Sequence, residues 1–471
     1  MKIKFCGADR TVTGSQHLLE IYGKKILLDC GMAQGKREEA FQTNRHFIFN
    51  PEELHCVILS HAHIDHSGNL PTLNAKGFKG DIYCTTATRD LCAYMLLDSA
   101  HIQERDVEYV NKKRIKTNEP LFNPLYTLDD VKSVMGKFKA VSYDKKFLLD
   151  GFDENVAVTF IDAGHILGSA QILIEIKENS RSYNFGFSGD VGRSHMPILR
   201  DPAFMGNVNY IISESTYGGR VHGNAIDMEK ELETAIKEAI SRGGKIIVPA
   251  FSVGRTQEIV FALSKMFDRK AIPQIPIFVD SPLSTNISVV YKLHHECFDE
   301  ETAELLVRGV DVFGFSNMTF INSVEDSKAL NTFEGSCMII SASGMCEAGR
   351  ILHHLANNIE DDKNTILIVG FMAPDTLGRR LVESREIENP TVNIFGDKYK
   401  VKAKVVVLNS FSAHADKNEL LDYFNKFDKN ILERIFLVHG DYDQQEAFMQ
   451  TLQENSFKNI EIPELGTEVE I

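Results

Sequence analysis

The sequence predicts an α/β protein with two kinds of sheet. An antiparallel-rich sheet system with covering helices comes first, and a parallel sheet flanked by helices follows. Three observations lead there. Residues 1–30 alternate apolar and polar in short runs separated by glycine-rich turns. From residue 54, strand-like runs alternate with helical ones. After YIISES, residues 210–215, strand–loop–helix units follow in succession, the signature of a parallel sheet with helices on its faces.

The opening runs KIKFCG, QHLLEIYG and KKILLDCG read as a β-meander. HCVILS then leads into GNLPTLNAKG, and DIYCT into the long helical stretch that begins TRDLCAYMLLDSAH. Strands return at AVTFIDAGH, AQILIEIKE and YNFGFSGD. The four later units are KIIVPAFSVGRTQEIVFALSKMF, IPIFVDSPLSTNISVVYKLHH, CMIISASGMCEAGRILHHLANN and NTILIVGFMAPDTLGRRLVES. None carries GxGxxG or a P-loop, so no nucleotide cofactor is indicated. From about residue 395, VKAKVVVLNSFSAHAD and RIFLVHGDYDQQEAFMQ again read as strand, His-bearing loop and helix. Lys398, Lys400, Lys402 and Lys404 alternate along DKYKVKAKVV, which would place them on one strand face. A nucleic-acid track would use such a face, but edge strands also carry Lys to discourage pairing, and that is the preferred reading.

At 471 residues the chain has room for two or three domains. Its 43% hydrophobic and 25% charged content is that of a soluble globular protein. The start, MKIKFCGADR, reads as strand and turn rather than a signal segment. No apolar run approaches the ~20 residues of a membrane span. The eight cysteines form no CxxC pair and several lie in apolar runs, so buried reduced thiols and a cytoplasmic location are expected. A net charge of −15 argues mildly against a polyanion partner. Divalent cations in a site would reverse that locally.

The chemistry concentrates in LSHAHIDHSGNLP, residues 59–71. Alternate side chains of an extended segment point the same way, so His61 and His63 can grip one ion. Asp65 and His66 then fall toward a neighbouring position as a helix begins near Ser67. Asp29, His165, Asp190 and His439 each end an apolar strand (ILLDCG, TFIDAGH, FGFSGD, IFLVHGD) and complete a His and carboxylate donor set without cysteine. Such a set suits Zn²⁺, with Mn²⁺ and Fe²⁺ ranking behind. Two metals about 3.5–4 Å apart can hold a hydroxide and clamp a phosphoryl or carbonyl oxygen.

HAHIDH with GHILGSA and SGD resembles the metallo-β-lactamase superfamily, with His63 where its flavodiiron branch has Glu. SESTYG, PAFSVGRTQE, SASGMCEAGRILHHL, GFMAPDTLGRRL, SFSAHAD and LVHGD narrow the likeness to the β-CASP subfamily, over nearly the whole chain. The resemblance implies an αββα sandwich in residues 1–213 and 395–471, with a β-CASP domain inserted at 214–394. It implies two zinc ions, the first on His61, His63 and His165, the second on Asp65, His66 and His439, with Asp190 bridging. Asp29 would orient these ligands by hydrogen bonds. It further implies hydrolysis of single-stranded RNA by a two-metal hydroxide mechanism in RNA processing or decay, with Asp65, Glu214 and His414 catalytic. His414, held by Glu214, would protonate the departing 3′-oxygen. The inserted domain would roof the site, its strand-end loops holding phosphates through Ser252, Arg255, Ser343, Gly344 and Arg379. No membrane partner is expected, and a homodimer is left open.

Two other classes share part of the pattern. A lactonase or thioesterase could use the same metal core, but would not need the inserted domain or the Glu214–His414 pair. A non-catalytic RNA-binding scaffold of the same family would have lost ligands, and this chain retains them all.

Overall fold

The computed structural model describes all residues except 36, 179–180, 224–226, 371, 374 and 409–410, so parts of the GFMAPD and LNSFS segments lie outside the described residues. The chain divides into two compact units. One comprises Met1–Ser194, Asp201–Val221 and His414–Ile471, the other His195–Arg200 and His222–Ala413.

The first unit holds two seven-stranded sheets. In one, Lys2–Gly7, Gln16–Ile21 and Lys24–Leu28 form the expected antiparallel meander. The sheet then turns parallel through Leu54–Ile58, Asp81–Thr85 and Phe138–Val141, where an antiparallel-rich arrangement was expected. Parallel neighbours need long crossovers, and the helices Leu70–Ala75 and Thr86–Thr117 occupy them. The other sheet is antiparallel through Phe147–Leu148, Val156–Asp162, Ala170–Glu178 and Arg181–Phe187. It continues parallel through Tyr210–Glu214, Arg434–Val438 and Ile460–Glu461.

Alternation along the strands turns one face of each sheet inward. There Phe5, Leu19, Ile26 and Ile58 of the first sheet meet Phe160, Ile172, Phe185, Ile212 and Phe436 of the second. Outside the second sheet, the helices Lys417–Phe424 and Tyr442–Glu454 lay Leu420, Phe424, Phe448 and Leu452 against Ile211, Ile435 and Leu437. Outside the first, Thr86–Thr117 packs on Asp81–Thr85 and Phe138–Val141. The layers are those of an αββα sandwich.

The second unit is built on a six-stranded parallel sheet. Its spatial order is Met318–Phe320, Ile277–Asp280, Met338–Ser341, Ile246–Pro249, Thr365–Ile368, Lys404–Val407. The central strands IIVP and MIIS are buried at every position, as a sheet covered on both faces requires. Leu232, Ile236 and Leu263 pack on one face, Ile351, Leu355, Leu377 and Leu381 on the other. All four expected units are present, with helices Arg255–Asp268, Pro282–Leu293, Ile351–Asn358 and Leu377–Glu383.

The four alternating lysines are exposed but do not share a strand face. Lys398 and Lys400 lie in Asp397–Lys400, paired with Thr391–Ile394. The N–H groups of Lys402 and Ala403 then leave the ladder and donate to Ile359 O at 3.0 and 2.9 Å. Lys404 opens the edge strand of the six-stranded sheet and pairs with Glu238, and Lys398 and Lys400 lie in a two-stranded ribbon whose strands are both edges, so the edge-strand role fits these three and not Lys402. All eight cysteines are buried, and none is in a disulfide. Among the described residues, no helix is long and apolar enough to cross a membrane.

Candidate metal centre

Six strand ends of the first unit carry ligand-type residues. Asp29 follows Lys24–Leu28 and His61 follows Leu54–Ile58. His165 follows Val156–Asp162, Asp190 follows Arg181–Phe187, Glu214 ends Tyr210–Glu214, and His439 follows Arg434–Val438. Asp29 and His439 have φ of +57° and +48°. A non-glycine residue holds that left-handed backbone at a cost of about 1–3 kcal/mol, which the surrounding structure must offset. The HAHIDH loop turns helical at Ile64–Ser67, earlier than the sequence suggests, with His63 at the N-cap position and its side chain making no capping bond.

The ligand-type side chains fall in three groups, two of which share Asp190: His61, His63, His165 and Asp190; Asp65, His66 and His439; and Asp190, Glu214 and His414. His63 Nδ1 lies 3.1 Å from His61 Nε2 and 3.2 Å from His165 Nε2. A ring nitrogen carries one proton or one lone pair, so three that face one another cannot all be satisfied by protons. Burial lowers the pKa of His61 and His165, and that of His63 to about 3. The three rings are therefore neutral, and a neutral imidazole has a lone pair to offer a metal.

Asp190 lies against both other sets. Its Oδ2 is 3.4 Å from His61 Nε2 and 3.5 Å from His165 Nε2, while its Oδ1 is 3.3 Å from His66 Nε2 and 3.5 Å from His439 Nδ1. That buried Oδ1 has no hydrogen-bond partner among the described residues. Burial resists charge on Asp190, yet His439 and His66 hold its carboxyl well below the usual carboxylate range. A buried, charged and unsatisfied oxygen among imidazole nitrogens fits a bound cation.

Asp29 reaches two of these rings, one directly and one through Ser60. Its Oδ2 lies 2.7 Å from His66 Nδ1 and accepts from Ser60 Oγ at 2.9 Å, while its Oδ1 accepts from Ser60 N at 2.8 Å. Having donated to Asp29, the Ser60 hydroxyl accepts from His61 Nδ1 at 3.0 Å. In the neutral form, both rings would then present Nε2 as a ligand atom. Burial opposes a proton on His66, but Asp190 and Asp29 outweigh it and raise its pKa well above the usual value. The position attracts positive charge. His66 Nε2 faces His439 Nε2 at 3.1 Å, and Asp65 Oδ2 is 3.5 Å from His439 Nε2. Thr216 Oγ1 lies 3.0 Å from His439 Nδ1.

His414 is set apart by its surroundings. Its side chain is 20% exposed against 0–2% for His61, His66, His165 and His439, and its Nδ1 lies 3.2 Å from Glu214 Oε2. Glu214 Oε1 accepts from Val191 N at 2.5 Å, which fixes the carboxylate. Burial works against a charged His414, but Glu214 overcomes it and raises the pKa to about 9.

Ser252, Arg255, Ser343, Gly344 and Arg379 all lie in the second unit. Ser252 and Arg255 follow Ile246–Pro249, and Ser343 and Gly344 follow Met338–Ser341. The Arg255 guanidinium is buried, pairs with Glu258 and lies over the Phe411 ring at 5.3 Å. Arg379 pairs along its helix with Glu383 at 2.7 Å. Ser60 and Thr216 carry no ligand signature in the sequence: Ser60 only adjoins His61, and Thr216 only lies within SESTYG.

Comparison with known proteins gives three family models. A metallo-β-lactamase superfamily domain matches residues 18–187, a β-CASP domain 256–381, and a Zn-dependent metallo-hydrolase RNA specificity domain 398–463. Ribonuclease TTHA0252 of Thermus thermophilus is 33% identical over 444 residues, 94% of each chain. The RNase J-like protein of Methanocaldococcus jannaschii is 28% identical, covering 98% of this chain and 96% of that one. Transcription termination factor FttA of Methanosarcina mazei is 30% identical over 94% of this chain and 67% of its own. A crystal structure of a protein of unknown function from Enterococcus faecalis V583 aligns over 99% of both chains with a TM-score of 0.55, at 11% identity, a likeness of fold alone.

Proposed function

The chain belongs to the β-CASP ribonucleases of the metallo-β-lactamase superfamily, hydrolases that act on RNA, and from that premise we propose a two-zinc enzyme that cuts single-stranded RNA. The carrying observation is Asp190, one buried carboxylate whose two oxygens face two separate sets of imidazole nitrogens. In this reading His61, His63 and His165 hold one ion, Asp65, His66 and His439 the other, and Asp190 is shared. Nitrogen and carboxylate donors without thiolate suit zinc ahead of manganese or iron. Two such ions, when bound, supply Lewis acidity at the scissile phosphate and a nucleophile available near neutral pH.

The rest belongs to the chain's own side chains. Asp29 and Ser60 keep His61 and His66 in the tautomers that present Nε2. His414 carries a proton at neutral pH, because Glu214 holds its Nδ1 side and raises its pKa to about 9. Its remaining nitrogen is the group that can protonate the departing 3′-oxygen, leaving 5′-phosphate and 3′-hydroxyl ends. In the second unit, the hydroxyls of Ser252 and Ser343 and the backbone at Gly344 are the candidates for holding RNA. Arg255 and Arg379 each have a carboxylate partner, and so contribute less there. The reading places the protein in cytoplasmic RNA processing or decay. Incubation of the purified protein with 5′- and 3′-labelled single-stranded RNA tests it. Zinc-dependent products with 5′-phosphate ends are expected, and uncut RNA in the presence of zinc would overturn it.

A further inference from the structure

Phe251 stands out in the second unit as an aromatic ring left exposed at the carboxyl end of a parallel sheet. It follows the central strand Ile246–Pro249, whose neighbour Met338–Ser341 leads into Ser343 and Gly344. The ring is 45% exposed, whereas Ala250 and Val253 beside it are 1% and 6% exposed. A loop that buries its small apolar residues and leaves its one phenylalanine out forgoes the ordinary gain of burial. In open α/β sheets, ligands bind outside the carboxyl ends of the strands.

The loop that carries the ring is also fixed. Phe251 O accepts from Thr256 Oγ1 at 2.7 Å and Thr256 N at 3.3 Å, and Ala250 N donates to Ser341 O at 3.0 Å. One side of the ring rests on Gly344. A Cβ built on Gly344 would meet the ring's Cδ2, Cε2 and Cγ at 2.6, 2.8 and 2.9 Å. Three ring atoms at nearly equal range mean that the glycine lies under the ring face. Gly344 does not have a positive φ, so its backbone does not call for glycine. The ring does. Hydroxyls flank it: Ser252 Oγ lies 3.2 Å from Ser281 Oγ, and Ser343 Oγ accepts from Glu347 N at 3.2 Å and Ala348 N at 3.3 Å, so the Ser343 proton remains to be given.

We infer that Phe251, backed by Gly344, is a stacking platform for one unpaired nucleobase of the RNA strand, a positioning role that rests on the ribonuclease reading above. Aromatic rings take bases of any identity, since every base has a π-face. The platform therefore supplies grip on single strands rather than sequence preference. Ser252 and Ser343 beside it are placed for the adjoining phosphate or sugar.

The test uses the zinc-loaded full chain and a set of RNA oligonucleotides, each with one abasic nucleotide at a different position. For the wild type, one position should raise KM by about 5- to 150-fold, the range that loss of a single base–aromatic stack spans. Phe251→Ala should show that higher KM on intact RNA, lose its sensitivity at that position, and keep kcat within about twofold. Phe251→Tyr should behave as wild type. Gly344→Ala should raise KM by displacing the ring, and add nothing in the Phe251→Ala background. Wild-type RNA cleavage with no sensitive position, or a sensitive position that persists in Phe251→Ala, would overturn the platform while leaving the ribonuclease reading intact. Failure of the wild type to cut any intact RNA would overturn both. Gly344→Ala with unchanged KM would remove the ring–glycine argument.

Discussion

A single carboxylate, Asp190, separates two groups of imidazoles, and the individual residues around it carry separable jobs. If Asp65, His66 and His439 form the second ion's site, His439→Ala should lower bound zinc from two ions toward one and largely abolish cleavage. Elemental analysis of the purified variant reads this directly, and two full equivalents would remove His439 from the ligand set. His414 should behave differently, because its Nδ1 is engaged by Glu214 and its ring is the more exposed. His414→Ala should keep its zinc while turnover slows by about 10²–10⁴-fold, the usual range for loss of an acid–base group. A variant stripped of both metals would mean that His414 is structural. The ligand-type residues were legible because their spacing in HAHIDH and their strand-end positions are local properties of the chain. The Asp29–Ser60–His61 relay was not, since serine has no ligand signature and its role depends on a hydrogen bond spanning 31 positions.

At the scale of elements, the site depends on how closely its loops approach one another. The backbone after Asp190 runs against the loop that carries His165. A Cβ at Gly192 would lie 1.8 Å from Gly164 O and 2.7 Å from His165 N. Gly192 N also donates to Ala163 O at 2.8 Å, so the two loops are fastened as well as touching. Gly192→Ala must push them apart. Forcing atoms into a filled space costs about 1–3 kcal/mol or more. The variant should melt several degrees lower by calorimetry and hold less zinc, since His165 moves with its loop. Unchanged melting and full zinc would contradict this packing. The sequence does not reveal which backbone Gly192 faces, because that partner lies in another strand–loop unit. The meander and the four strand–loop–helix units were readable from periodicity. The parallel run from Lys24 to Val141 was not, because periodicity along a strand does not reveal the direction of its neighbour.

For the molecule as a whole, a net charge of −15 has to be reconciled with a polyanionic substrate. Two divalent cations, bound as proposed in the buried His and carboxylate site, would reverse the sign of the field where the phosphate must sit. The substrate is expected to be single-stranded RNA in preference to DNA of the same sequence, read through the 2′-OH, which donates and accepts hydrogen bonds. Structured RNA should then be cut mainly in loops and tails. Composition alone pointed mildly the other way, and the motifs outweighed it because a site's local charge is not the chain's average. The most direct measurement is a competition between matched RNA and DNA oligonucleotides, single- and double-stranded, with zinc supplied and with zinc removed by a chelator. Cleavage of single-stranded RNA that needs zinc, with DNA and paired duplex cut far more slowly, is the predicted result. Equal rates on RNA and DNA, or hydrolysis only of a lactone or thioester, would contradict it.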